Sequence, residues 1–230
     1  MRLAVVVPVF NEATAIELTL ARLVALRACG ADVIVVDGGS TDATVALAKP
    51  HADHVLQSAR GRAQQMNAGA RAAIDGGADV LLFAHADSEL PDAADRLIDT
   101  ALRTGGRVWG RFDVRIDGDE PMLSIVSAMM NWRSRLTGIC TGDQAIFVTR
   151  PAFERLAGFA PIALMEDIEF SKRAKELSWP AAIGVRVVTS GRRWQRHGIW
   201  RTIVLMWRFR LAYFFGADPQ RLAQRYRDAR

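Results

Sequence analysis

The chain holds 230 residues, 50% of them hydrophobic and 24% charged, proportions of an ordinary folded protein that exclude a disordered, collagenous or low-complexity one. Two cysteines, Cys29 and Cys140, are too few for a disulfide framework and point to a reducing compartment. The net charge of +5 is unevenly placed: residues 180–230 carry 11 Arg against 2 Asp, so a mildly acidic body bears a basic tail, which suits an anionic partner or plain solvation.

Residues 3–9 form a continuous valine-rich run, the pattern of a strand buried on both faces. Ile16, Leu20, Leu23 and Val24 then recur at helical spacing and predict one helix over 12–27. A second buried strand at 33–36 runs into Asp37-Gly38-Gly39-Ser40, and a short helix follows over 42–48, capped by Ser40 or Thr41. A third strand is expected at 54–57, a helix at 62–73, and a fourth strand at 80–83 that leads into His85-Ala86-Asp87-Ser88. Alternating strands and helices with short loops predict an α/β architecture with a mostly parallel sheet flanked by helices. Ligands of such sheets bind beyond the carboxyl ends of the strands, where Asn11, Glu12, Asp37 and Asp87 collect.

Downstream the pattern is less regular. Strands are expected at 107–116, 142–148 and 182–188, and a helix at 165–177 opens on Glu166-Asp167. A basic loop over 189–197 and two amphipathic helices near 200–215 and 220–227 close the chain. No internal repeat or linker calls for a second domain. No signal peptide is expected, since Asn11 and Glu12 cut off the opening apolar run. No uncharged stretch reaches the ~18 residues of a spanning helix.

Several positions carry either chemistry or a plain structural duty. A carboxylate on a glycine-rich turn, as at Asp37, reaches a ribose or base, or simply organises the turn. Neither the three-glycine dinucleotide pattern nor a phosphate-binding P-loop is present. Asp87 ends an apolar strand and is placed to hold a hard divalent cation or to cap a helix. His85 is a second candidate ligand on the same side of an extended segment. Glu166-Asp167 offers a general base or two acids favoured by the helix dipole. Arg192-Arg193-Trp194 offers guanidinium groups for diphosphate oxygens or a solvated basic turn.

Taken in order, these segments resemble family 2 glycosyltransferases, which have the GT-A-type fold. The pieces are Val6-Val7-Pro8-Val9-Phe10-Asn11-Glu12, Val35-Val36-Asp37-Gly38-Gly39-Ser40-Thr41-Asp42, Gly61-Arg62-Ala63 with Asn67-Ala68-Gly69, Ala86-Asp87, Gly142-Asp143-Gln144, Glu166-Asp167 and Arg193-Trp194. The Ser190-Gly191-Arg192-Arg193-Trp194 segment is also similar to a compact bacterial subgroup labelled arsenosugar-biosynthesis-type glycosyltransferases. The resemblance implies a UDP- or GDP-sugar donor, a hydroxyl acceptor, a divalent metal ion (Mn²⁺ or Mg²⁺) and inversion at the anomeric carbon. It implies that Pro8, Phe10, Glu12 and Asp37 contact the nucleotide, with Arg62 and Asn67 nearby. Asp87, with His85, would bind the metal; Asp167 would be the base, supported by Glu166; Arg192, Arg193 and Trp194 would close over the diphosphate. The chain departs from the family pattern at Gly38, His85 and Ser190, which stand where further acids and a glutamine are usual. Ser190 in place of that glutamine points to single-sugar transfer rather than processive synthesis.

The expected organisation is one glycosyltransferase unit over 1–198, with a nucleotide-sugar half near 1–105 and an acceptor half near 106–198. A basic helical tail over 199–230 is expected to pack on it. Trp200, Ile203, Val204, Trp207, Leu211 and Phe214 define an apolar stripe on that tail. It suits packing on the body first, then a membrane surface over 199–216, then a homodimer contact; no nucleic-acid partner is expected. The location expected is cytoplasmic, with association at the inner face of the membrane as the option that goes with the second reading of the tail. The competing readings are a catalytically silent nucleotide-sugar-binding or membrane-associated scaffold, and a nucleotidyltransferase, whose phosphate loop is missing after the first strand.

Overall fold

A computed structural model describes the backbone of residues 1–228, and all their side chains except those of Arg193, Arg196, His197, Arg227 and Asp228. In the first part, β1 (Leu3–Val9), α1 (Ile16–Ala21), α2 (Val24–Ala28), β2 (Asp32–Asp37), α3 (Thr44–Ala48), β3 (His54–Gln57), α4 (Arg62–Asp75) and β4 (Val80–Phe83) alternate. The second part holds β5 (Ser88–Glu89), α5 (Ala94–Arg103), β6 (Trp109–Ile116), α6 (Pro121–Thr137), a 3₁₀ turn at Gly142–Gln144, β7 (Phe147–Thr149) and α7 (Arg150–Arg155). It closes with α8 (Glu166–Ala174), β8 (Ala181–Thr189), α9 (Arg192–His197), α10 (Ile199–Phe214) and α11 (Pro219–Asp228).

The eight strands form one sheet in the order β3-β2-β1-β4-β7-β6-β8-β5. The β1–β2, β1–β4, β2–β3 and β6–β8 pairs are parallel; β7 and β5 run antiparallel to their neighbours. The period-2 alternation of a strand sends successive side chains to opposite faces, and both faces are covered. Val5, Val7, Val33, Val35 and Leu82 meet Ile16, Leu20, Leu23 and Leu26 of the α1–α2 segment. Val6, Ile34, Val36, Leu81 and Phe83 meet Ala63, Met66, Ala70 and Ala73 of α4. Double burial explains why these strands read as unbroken apolar runs. Gly69 lets α4 approach: a Cβ there would lie 2.4 Å from Val6 Cγ1 and 2.9 Å from Val36 Cγ2.

Several sequence expectations are corrected. The single helix over 12–27 is two short helices, with Val24 exposed. Thr44, not Asp42, opens α3, and Asp42 Oδ1 accepts the Thr44 N–H at 3.0 Å in place of a Ser40 or Thr41 cap. Asp87 caps no helix and leads into β5. The strand expected over 142–148 is a 3₁₀ turn followed by β7, because Ala145 turns the chain at φ 46°. The basic loop becomes the end of β8 and α9, and α5, α6 and α7 have no counterpart in the sequence reading.

The tail packs on the body, but of the stripe expected to do so only Ile203 turns inward. Phe209 and Leu222 join Met165 and Ile168, and Ile199 and Ile203 join Ile116, Leu123 and Val126. Trp200, Val204, Trp207, Leu211 and Phe214 face outward. No helix among the described residues is long and apolar enough to cross a membrane.

Candidate functional site

Because β1, β2 and β4 run parallel, their carboxyl ends open at one edge, and the loops there are stitched together by side chains. Asn11 adopts φ 53°, a left-handed conformation that asparagine tolerates. Its N–H donates to Ser40 Oγ at 2.9 Å, and its Oδ1 accepts the Thr41 N–H at 2.9 Å. The Glu12 N–H donates to Thr44 Oγ1 at 2.8 Å. Asp37, 1% exposed, accepts the Gly39 and Ser40 N–H groups at 3.0–3.1 Å and so builds its own turn. The ring of Phe10 carries the Arg60 guanidinium at 3.8 Å, a cation–π contact.

Across a recess lined by Pro8, Phe83, His85, Gly142, Glu166 and Asp167 stands the second group of acids. Met165, at φ 69°, turns the chain so that α8 begins with Glu166-Asp167 facing inward. Asp167 is held at both oxygens: Oδ2 accepts the Gly142 N–H at 2.9 Å and Oδ1 the Ile168 N–H at 2.7 Å. Burial, and then the charge of Asp167, push the Glu166 carboxyl above its ordinary range, against the pull of Arg62. Arg62, the first residue of α4, lies with Nη1 3.9 Å from Glu166 Oε1. Its side chain is 52% exposed while its guanidinium is crowded by protein. Desolvation works against its charge, and Glu166, with Asp143, Tyr226 and Asp167, outweighs it, so Arg62 is held more firmly protonated than usual.

The two groups are linked through Glu12. Partial burial first, and the negative charge of Asp87 second, raise the Glu12 carboxyl, against the pull of Arg192, Arg62 and His85. Arg192 reaches the same loop from α9, its Nη1 3.2 Å from Thr14 Oγ1 and its Nε 3.0 Å from Ser190 Oγ. That approach needs Gly191, where a Cβ would lie 1.9 Å from the Asp117 carbonyl oxygen.

Not every expected residue points into the recess. Asn67 is spent at both ends of its amide: Nδ2 donates to the Phe159 carbonyl at 2.8 Å, and Oδ1 accepts the Phe159 N–H at 2.9 Å. It clamps α4 to the 159 loop. Trp194 packs against Ile116, Leu123 and Val126 and anchors α9; the side chain of Arg193 lies outside the described residues. His85 is committed to the 3₁₀ turn. Its Nδ1 is 3.2 Å from Asp143 Oδ1, and a Cβ on Gly142 would lie 2.5 Å from its Nε2. The imidazole therefore holds the turn that holds Asp167.

A divalent cation fits the remaining donors. Asp87 makes no hydrogen bond or ion pair among the described residues, and its charge is felt by the Glu12 carboxyl. No group of three or more His, Cys, Asp and Glu comes together as a cage among the described residues. One or two carboxylates, completed by water and substrate phosphates, is how such an ion is held at a diphosphate.

Sequence reasoning missed Gln65, whose Nε2 ties the ends of β1 and β2 through the Val9 and Val36 carbonyls at 2.7 and 2.8 Å. Its signal was available: it is the one polar side chain among the buried positions of α4. Arg60 over Phe10 and the His85–Asp143 contact had none, since both depend on the tertiary fold.

Among solved structures, the chain is similar to the mannosyltransferase PcManGT from Pyrobaculum calidifontis, in complex with GDP-Man and Mn²⁺. The TM-score is 0.65 at 23% identity, covering 92% of this chain and 61% of that one. It is similar to residues 1–349 of S. aureus TarS in complex with UDP-GlcNAc, at TM-score 0.64 and 15% identity, covering 83% and 58%. It is also similar to glucosyl-3-phosphoglycerate synthase from Mycobacterium tuberculosis in complex with Mn²⁺, UDP and glucosyl-3-phosphoglycerate. There the TM-score is 0.60 at 19% identity, covering 82% and 70%. The chain thus spans about three-fifths of the length of the first two, and the likeness is one of fold, the GT-A type. No curated protein sequence matches significantly. The model of glycosyl transferase family 2 matches residues 4–150, which take in the strand-end loops, Asp87 and the 3₁₀ turn. With well over half of its length matched, the chain belongs to glycosyl transferase family 2.

Proposed function

We propose that the chain is an inverting glycosyltransferase that moves a sugar from a UDP- or GDP-sugar to an acceptor hydroxyl, with Asp167 as general base. Residues 1–198 form the transferase unit, split near 105 between donor and acceptor, with 199–230 as a tail packed on it. Its place is cytoplasmic, at the inner face of a membrane. The observation that carries the reading is two acid groups that share the same cations: Glu166 and Asp167 line the recess, Glu12 senses Asp87 at the strand ends, and Arg62 and His85 act on both Glu12 and Glu166.

In this reading Pro8, Phe10 and Asp37 receive the base and ribose, and Arg62 and Arg192 bring positive charge to the diphosphate. A divalent cation, Mn²⁺ or Mg²⁺, held by Asp87 with Glu12 beside it, supplies neutralisation of the leaving diphosphate when bound. Asp167, oriented by the Gly142 and Ile168 amides, takes the proton of the acceptor hydroxyl as that oxygen bonds to the anomeric carbon. The sugar–phosphate bond breaks on the opposite face, and its electron pair leaves with the nucleoside diphosphate, so configuration inverts. Glu166 accepts a proton more readily than an ordinary glutamate and, through Arg62, ties the donor-side helix α4 to the base.

Turnover of a radiolabelled nucleotide sugar, with water standing in for the acceptor, tests the assignment. Asp167→Asn is expected to lower kcat by about 10²–10⁴ and leave donor affinity unchanged. Wild-type turnover in that variant would remove Asp167 from the role of base.

A further inference from the structure

Most of the large apolar side chains left exposed among the described residues lie on two helices. On α6 they are Ile125, Met129, Trp132 and Leu136, and on α10 Trp200, Val204, Trp207, Leu211 and Phe214. Both sets recur at three and four residues, so each is one stripe along its helix. The exposures are high: 66% for Trp132, 68% for Trp200, 64% for Trp207 and 74% for Phe214. The helices are neighbours, since Leu123 and Val126 of α6 and Ile199 and Ile203 of α10 share one buried cluster. Burial first, and then the charge of Arg210 on α10, bring the Arg133 guanidinium of α6 down to about 10.

The charge on both helices has one sign. α6 carries Arg133 and Arg135, α10 carries Arg201, Arg208 and Arg210, and neither contains an acid. Exposed tryptophan beside arginine is the chemistry of a membrane–water interface, where the indole body is apolar and its N–H stays wet. A second copy of the chain on the same face would bring like charges together, which disfavours self-association. Neither helix is long and apolar enough to cross a bilayer.

We propose that the paired outer faces of α6 and α10 seat the protein on an anionic phospholipid surface. This deepens the membrane part of the reading above by naming the surface and its lipid, and it stands apart from the transfer chemistry.

Co-sedimentation of the full chain with vesicles of phosphatidylcholine alone, or mixed with phosphatidylglycerol, is the test. Binding is expected to the mixed vesicles and to fall with added salt. Arg201→Gln with Arg208→Gln should weaken it roughly fivefold per arginine. Trp132→Gln with Trp207→Gln should weaken it on the order of tenfold or more. All four residues are exposed, so melting temperature and nucleotide-sugar binding should match the wild type in both double variants. That match separates failure of the surface from failure of the catalytic reading. No sedimentation with either vesicle would overturn the proposal, as would binding that ignores the tryptophan pair. A dimer in light scattering that dissociates in the tryptophan variant would overturn it in favour of a second copy.

Discussion

Asp87 and Asp167 differ in what the protein does with their oxygens. Asp167 is fixed by two backbone amides, which suits a base that must keep one direction, whereas Asp87 has no hydrogen-bond partner among the described residues, which suits a ligand whose partner comes with the substrate. Gly142 joins the two sides: its N–H holds Asp167 while its missing side chain leaves room for His85. Glu166 makes this arrangement titratable. Burial, then Asp167, hold its folded carboxyl above the ordinary value of 4.5. The folded chain therefore binds more protons than the unfolded chain between those two values, and stability falls as pH rises through that window. In metal-free buffer, urea unfolding at stepped pH should show Glu166→Gln gaining on the wild type as pH climbs from about 4.5. Parallel profiles would mean that the Arg62 contact fully offsets the burial.

At the scale of elements, the site depends on how closely α4 lies on the sheet, because α4 carries Arg62, Gln65 and the Asn67 clamp. Gly69→Ala should cost about 1–3 kcal/mol by overpacking against Val6 and Val36, measured by denaturant unfolding; an unchanged midpoint would show that the helix shifts freely. Strands β1, β2 and β4 were legible because burial on both faces writes an unbroken apolar run, and β1 and β4 begin and end where the runs do; β3, a half-buried edge strand, also matches its expected range. The strand-end positions of Glu12, Asp37 and Asp87 followed from the same alternation. The second half was not legible, and the reasons are physical. α6 is apolar on its inner and outer faces alike, so the contrast that marks a surface helix is blurred. The same property hid which stripe of α10 packs inward. The 3₁₀ turn reads as strand from Ile146-Phe147-Val148, but Ala145 in a left-handed conformation breaks it. The partners that Asn67, Trp194 and His85 take, namely Phe159, Leu123 and Asp143, lie far away in sequence and could not be read from it.

At the scale of the whole molecule, two surfaces divide the work. The carboxyl edge of the sheet, with the start of α8 beside it, carries acids and two arginines, and the α6–α10 face carries aromatic and basic side chains, neither helix containing an acid. The uneven charge of the sequence is thus partly resolved into place, with Arg201, Arg208 and Arg210 on a face that a phospholipid surface would neutralise. The family match covers residues 4–150 and stops short of Glu166, Asp167 and Arg192, so the donor side has support from both sequence and fold, while the base rests on geometry. The central claim is that Asp87 recruits a metal for a nucleotide-sugar donor. Thermal-shift titration with UDP- and GDP-sugars, with and without Mn²⁺, addresses it directly, since a ligand of the folded state raises the melting temperature by mass action. The account predicts a manganese-dependent rise with one donor in the wild type and in Asp167→Asn, and none in Asp87→Ala. An equal rise in Asp87→Ala, or no rise with any nucleotide sugar in the wild type, would contradict it.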